Sequence, residues 1–239
     1  MDRNILKSKD IILLLLIIVL TITLVLVSSL TNGIVFFDNL SKAVNKQILY
    51  QTITLLGTGV FLFVLWWFKR PEFLEYFRKG DISAKIIPEP IVGIKPKQTE
   101  NWFHFGRNIA IIISIVTAII IYFQIVRESE ISFENILSIL PLSIAFALSN
   151  SFVEESITRL GVVIVLKDRL KNKTIPIVSA LISGIIHYWG NPGGLSGVIV
   201  AGFLGWFLAK SILETKGIFW AYLIHFLQDV IILSVLLAM

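Results

Sequence analysis

Apolar runs long enough to cross a bilayer recur along this chain, at about 11–31, 48–68, 108–126, 136–166, 175–189, 194–210 and 217–238. A segment in hydrocarbon must satisfy its own backbone hydrogen bonds, and a helix needs about 20 mostly apolar residues to do so across the membrane. Seven such runs in 239 residues leave little chain for anything else. The sequence is 56% hydrophobic and only 15% charged, whereas soluble domains carry about 25% charged residues. The expected fold is therefore all-α, a polytopic transmembrane helical bundle of about seven spanning helices, with the fourth long and the fifth short. The run from Ile11 to Leu30 exceeds the roughly 7 to 15 residues of a signal-peptide core and lacks a clear small-x-small cleavage site, so it is read as a span.

The net charge of +5 matters less than where the basic residues fall. Arg3, Lys7 and Lys9 precede the first span, eight basic residues lie between Lys69 and Arg107, four between Lys167 and Lys173, and Lys210 and Lys216 sit between the last two spans. The alternate connections hold only Lys42, Lys46 and Arg127. The positive-inside rule places the N-terminus in the cytoplasm and, after seven crossings, Met239 outside. This is the charge pattern of a multi-pass integral membrane protein, in a prokaryote one of the plasma membrane, and not of a nucleic-acid binder. The lack of cysteine excludes disulfides, thiolate metal sites and a cysteine nucleophile.

No internal repeat is evident. The chain divides into 1–135, three spans with a basic cytoplasmic loop at 69–107, and 136–239, where the chemistry lies. Within the loop, Pro71 to Lys79 mixes apolar and charged residues in a way that suits a short helix on the membrane surface, and Pro88, Pro90 and Pro96 favour extended chain. The loop reads as a solvated connector carrying positive-inside charge, with a dock for substrate or anionic lipid as the functional alternative. His104, beside Trp102, Phe103 and Phe105, belongs to an interfacial aromatic belt.

Charged side chains at the centre of a span cost about 2.5 to 3.5 kcal/mol each on insertion scales, so they persist where they have partners or work. Six polar residues need explaining: Glu154, Glu155, Arg159, His187, His225 and Asp229. Glu154 lies thirteen residues before Lys167, His187 fourteen after Lys173 and Asp229 thirteen after Lys216. At 1.5 Å per residue each is about 20 Å from the basic end of its helix, and His225 about 14 Å. Three helices thus bring ionisable groups to similar depth.

Residues four apart share a helix face, so Glu155 faces Arg159 and His225 faces Asp229. Glu154 is turned about 100° from Glu155. Helical spacing therefore expects Glu155 to pair with Arg159, leaving Glu154 as an unpaired carboxylate able to act as a general base. Asp229 is expected to accept a hydrogen bond from His225 and fix its tautomer.

Glu-Glu-x-x-x-Arg at 154–159, a His closing the next span, and His-x-x-x-Asp at 225–229 resemble, in order and spacing, the motifs of the CAAX protease and bacteriocin-processing family. This family is also called the ABI domain and includes the type II CAAX prenyl endopeptidase. The resemblance covers about 136–239 and departs at one point: the family's second motif is usually Phe-x-x-x-His, and here Ser183 stands four before His187. The resemblance implies an intramembrane endopeptidase acting on membrane-associated or lipidated peptides or proteins. In it Glu154 activates a water, His187 and His225 position that water or stabilise the oxyanion, Asp229 completes the site, and Glu155 with Arg159 organises it. Cofactor need stays open: Glu154, His187 and His225 are able to bind one divalent metal such as Zn²⁺ with a free position, or to polarise water directly.

Other chemistries fare worse. Gly194-Leu195-Ser196-Gly197 looks like a rhomboid-type nucleophile motif with His225 downstream, but the Ala-His-x-x-Gly context is missing. There is no His-Glu-x-x-His, and Asp229 is the sole intramembrane Asp, so an aspartyl dyad cannot form. The alternative from another class is a non-catalytic scaffold or bacteriocin-immunity protein of the same fold, with a transporter behind it. The cytoplasmic charge suggests that peptides arrive from the cytoplasmic face.

Overall fold

The computed structural model describes residues 6–190 and 193–239; Arg3 of the N-terminal basic group lies outside them. Helices α1 (Ser8–Leu30), α2 (Lys42–Phe68), α4 (Trp102–Gln124), α5 (Phe133–Glu154), α8 (Gly194–Thr215) and α9 (Phe219–Ala238) carry the long apolar runs. Six helices are long and apolar enough to cross a membrane, and the shorter apolar helix Ile175–Trp189 adds a seventh element, so the chain is a multi-pass integral membrane protein. Among the described residues the only β pairing is two isolated bridges, Lys85 with Asn101 and Glu89 with Ile94. Outward stripes such as Leu56, Val60, Phe63 and Trp67 on α2 are apolar and exposed, as a lipid-facing surface requires.

The long fourth span is continuous from Phe133 to Leu166. It passes from α5 through a π-helical turn, Glu155–Leu160, into α6 (Gly161–Leu166). Every residue from Glu155 to Leu166 is buried, so this is the central rod of the bundle and is apolar on all sides below Arg159. Helix α7 (Ile175–Ile186) has only 12 residues. At 1.5 Å per residue it rises about 18 Å, well short of the roughly 30 Å hydrocarbon core. Its last turn, where His187 stands, therefore ends inside the bundle.

The basic loop is fastened down. A short helix, α3 (Arg70–Tyr76), forms within the stretch Pro71 to Lys79 and buries Phe73 and Tyr76. Beyond it, Glu214 accepts hydrogen bonds from Ile87 N at 3.1 Å and Trp102 Nε1 at 2.8 Å, and it pairs with Lys210. Gly80, at φ +77°, lies against Gly217 so closely that a Cβ on Gly217 would meet its Cα at 2.4 Å. At the same end Asp10, fully buried, pairs with Lys69 at 2.6 Å and Arg169 at 2.7 Å, tying α1 to the α2–α3 junction and the end of α6.

Candidate functional site

The π-turn decides how the charged residues meet. In an α-helix residues 154 and 155 would face different directions, but i to i+5 winding brings residue 159 over both. Arg159 Nη1 lies 3.2 Å from Glu155 Oε1 and 3.8 Å from Glu154 Oε2. The expectation that Glu154 stands apart from the guanidinium is therefore corrected: both carboxylates face Arg159, Glu155 closely and Glu154 loosely. The irregular backbone is held by side chains. Thr158 Oγ1 donates to Glu154 O at 2.7 Å and accepts from Arg159 Nη1 at 2.8 Å, while Ser179 Oγ of α7 donates to Thr158 O at 2.9 Å.

His225 of α9 completes the cluster. Its Nδ1 lies 2.6 Å from Glu155 Oε1, whereas its Nε2 is 3.5 Å from Asp229 Oδ1 and 3.8 Å from Glu154 Oε2. The close partner of the ring is thus Glu155, at Nδ1, where spacing suggested Asp229, and Nε2 lies between Asp229 and Glu154. Glu155 Oε1 stands between imidazole and guanidinium, which places a buried carboxylate between two donors.

Asn150, which the sequence reading did not single out, spans the two remaining acids. Its Nδ2 donates to Glu154 Oε1 at 3.2 Å and to Asp229 Oδ2 at 3.1 Å. Its Oδ1 accepts from Gln51 Nε2 of α2 at 3.4 Å, and Gln51 Oε1 accepts from Ser149 Oγ at 2.9 Å. Asn150 sits one α-helical turn before Glu154, and that shared face was the signal available. Helix 2 contributes as well, although it holds no mid-span charge.

His187 makes no ion pair with these groups. Its Nδ1 is bonded to Ser183 O at 2.7 Å, which leaves Nε2 as the free ring nitrogen. Ser183 itself packs on α8: a Cβ added at Gly205 would fall 2.8 Å from Ser183 Cβ, and one at Gly184 2.9 Å from Val198 O. No phenylalanine fits at such a contact, which accounts physically for the departure at that position. Ser196, the rhomboid-like candidate, donates to Gly193 O at 3.0 Å, while His225 is engaged with Glu155.

Glu154, His187, His225, Asp229 and Asn150 all line one cavity of about 440 Å³. Its walls are the second halves of α4 and α9, the start of α2 and the start of α8. A second cavity of about 510 Å³, against the end of α1, meets it at Tyr50, Glu154 and His187. Both lie in the half of the bundle that carries the α1–α2 and α4–α5 connections, opposite the basic loops. The sequence suggested that peptides arrive from the face that carries the basic loops; the cavities lie towards the other end of the bundle.

Among the described residues Glu154 Oε2 has no hydrogen-bond partner, and behind the cavity wall Glu155 Oε2 and Arg159 Nε are likewise unsatisfied. Among the described residues no group of three or more His, Asp or Glu side chains is arranged to hold a metal ion. Glu154, His187 and His225 therefore do not fit as a ready-made zinc site. The arrangement offers instead a carboxylate oxygen and an imidazole nitrogen facing each other across a gap that a water can bridge.

Residues 135–231 match the family model of the type II CAAX prenyl endopeptidase Rce1-like proteins, a protease family. The match spans every residue of the cluster from Asn150 to Asp229. No curated protein and no solved structure matches the chain.

Proposed function

We propose that the chain is an intramembrane endopeptidase that hydrolyses peptide bonds of membrane-associated or lipidated peptides with a water activated by Glu154. The observation that carries this reading is Glu154, which lines the cavity and whose buried Oε2 has no hydrogen-bond partner among the described residues and lies 3.8 Å from His225 Nε2.

A water bridging these atoms gives one hydrogen to Glu154 Oε2 and directs the other at His225 Nε2, whose Nδ1–H is engaged with Glu155. Both hydrogens being taken, an oxygen lone pair points into the cavity, where the scissile carbonyl binds. As the water oxygen bonds to the carbonyl carbon, Glu154 takes the proton and the carbonyl oxygen becomes an oxyanion. His187, whose Nδ1 is bonded to Ser183 O, lines the cavity with Nε2 free to help position the water or the substrate. Collapse breaks the C–N bond and Glu154 returns its proton to the leaving amine. Asn150 and Asp229 hold Glu154 and His225 in place, and Glu155 with Arg159 fixes the imidazole from behind.

The positive-inside distribution then puts the cavity mouth and Met239 on the non-cytoplasmic side, so substrates reach the site from outside the cell or from the outer leaflet.

The test is cleavage of quenched fluorescent peptides, prenylated and plain, by protein in lipid nanodiscs. Glu154→Gln, nearly isosteric, is expected to lose about 10²- to 10⁴-fold in rate while staying folded. A chelator is expected to leave the wild-type rate unchanged. A folded wild-type protein that cuts nothing in either peptide class would instead favour a non-catalytic scaffold.

A further inference from the structure

Lys46 is the only lysine or arginine that lines either cavity among the described residues, and it lines both. It stands in the second turn of α2, half-buried, and no carboxylate of the described residues lies within salt-bridge distance of its Nζ. The two buried lysines among the described residues are paired, Lys69 with Asp10 and Lys210 with Glu214, and half-buried Lys167 meets Asn172 Oδ1 and the Tyr76 ring. A cation in a largely apolar cavity costs free energy unless an anion comes to it.

Its position relative to the cluster follows from the helices. The bond from Gln51 to Asn150, at 3.4 Å, places these two residues at one level. Glu154 follows Asn150 by four residues and Lys46 precedes Gln51 by five, and because α2 and α5 run parallel, both starting at the end of the α1–α2 and α4–α5 connections, the two lie on opposite sides of that level. At 1.5 Å per residue Lys46 lies about 13 Å from the level of Glu154, towards the cavity mouth. An extended peptide covers that distance in about four residues.

We propose that Lys46 is a specificity residue that binds a carboxylate of the substrate about four residues from the bond presented to Glu154. That carboxylate is either a free C-terminus or an Asp or Glu side chain. The assignment rests on the endopeptidase reading for the register of the peptide, but carboxylate binding itself can be measured without catalysis. Its partner is thus an apolar peptide with one anionic end, and the amide of the same peptide is a poor ligand.

The experiment is binding of a labelled apolar dodecapeptide, followed by fluorescence anisotropy in nanodiscs with Glu154→Gln as the host so that nothing is consumed. Three forms are compared: free acid, C-terminal amide, and amide with a Glu placed near the end. The free acid is expected to bind at least about tenfold more tightly than the amide, as a charge-assisted contact gives. Adding Lys46→Met to the host is expected to abolish that difference, and Lys46→Arg to keep it. Recovery of affinity by the Glu-bearing amide marks a side-chain carboxylate as sufficient; absence of recovery marks the terminus as the group read. Equal binding of acid and amide, or a preference that survives Lys46→Met, overturns the proposal. Carboxylate-dependent binding with no cleavage by the Glu154-containing protein would leave Lys46 in place and sink the protease reading alone.

Discussion

His225 Nδ1 lies 2.6 Å from Glu155 Oε1, joining residues 70 apart in sequence on α9 and the π-turn. Because Nδ1–H is committed there, Nε2 is the atom left for the cavity, and Glu155 rather than the neighbouring Asp229 decides the ring's orientation. Glu155 also shares its Oε1 with Arg159 at 3.2 Å, so one buried oxygen fixes both the imidazole and the guanidinium.

Glu155→Gln is expected to keep an acceptor for His225 while leaving Arg159 to Glu154 alone. The guanidinium then competes with the water for Glu154, and cleavage is expected to fall about 10- to 100-fold with folding retained. Glu155→Leu removes acceptor and charge together. Arg159, 1% exposed, is left without its close partner, and the protein is expected to lose about 3–5 kcal/mol of stability. Thermal melting in detergent separates the two variants; equal melting temperatures would contradict the shared-oxygen arrangement.

Asn150 donates to two carboxylates that would otherwise repel, Glu154 at 3.2 Å and Asp229 at 3.1 Å. Asn150→Ala is expected to lower kcat/KM about tenfold, the effect of losing hydrogen bonds to charged groups. Asn150→Asp adds a third like charge and is expected to cost more than the alanine variant. Steady-state kinetics on the same quenched peptide decides the order, and an aspartate variant as active as wild type would remove Asn150 from the site.

Much of this was legible in the chain. Runs of apolar residues fix the spans because hydrocarbon allows few other solutions, and 1.5 Å per residue brought Glu154, His187 and Asp229 to one depth. The pairing within the cluster was not legible, because helical periodicity assumes 3.6 residues per turn and the Glu155–Leu160 segment winds wider. That single irregularity moved Arg159 over Glu154 and gave His225 to Glu155. Asn150 and Gln51 were passed over because uncharged amides cost little in a span, although Asn150 shared a face with Glu154. Lys46 was counted only as a loop charge, since nothing in the sequence says that the start of α2 borders a cavity.

Asp10 is the hub of a second buried network at the basic end, with Lys69 at 2.6 Å and Arg169 at 2.7 Å. Lys69 is 2% exposed and also reaches Val165 O at 3.4 Å, so removing Asp10 strands a buried ammonium. Asp10→Asn is expected to lose about 3 kcal/mol or more. Glu75→Gln breaks a pair of similar length, Lys216 at 3.0 Å, but that lysine is 57% exposed and the cost is expected to stay below about 1 kcal/mol. Melting temperatures of the two variants, measured side by side, check whether α1 is held by this clamp; a smaller shift for Asp10→Asn than for Glu75→Gln would refute it.

The side from which the cavity is reached is a prediction from charge that can be read with single cysteines, since the chain has none of its own. Asn39 lies in the connection between α1 and α2, Ser28 faces both cavities from α1, and Ser83 lies in the basic loop fastened to α8. With the basic loops held in the cytoplasm, a membrane-impermeant maleimide added to intact cells is expected to label Asn39→Cys. It is expected to reach Ser28→Cys more slowly through the water of the cavity, and to miss Ser83→Cys until the cells are opened. Protection of Ser28→Cys by a bound peptide would place the substrate in the same space. Labelling of Ser83→Cys on intact cells would invert the orientation, and the same cavity would then take its peptides from the cytoplasm.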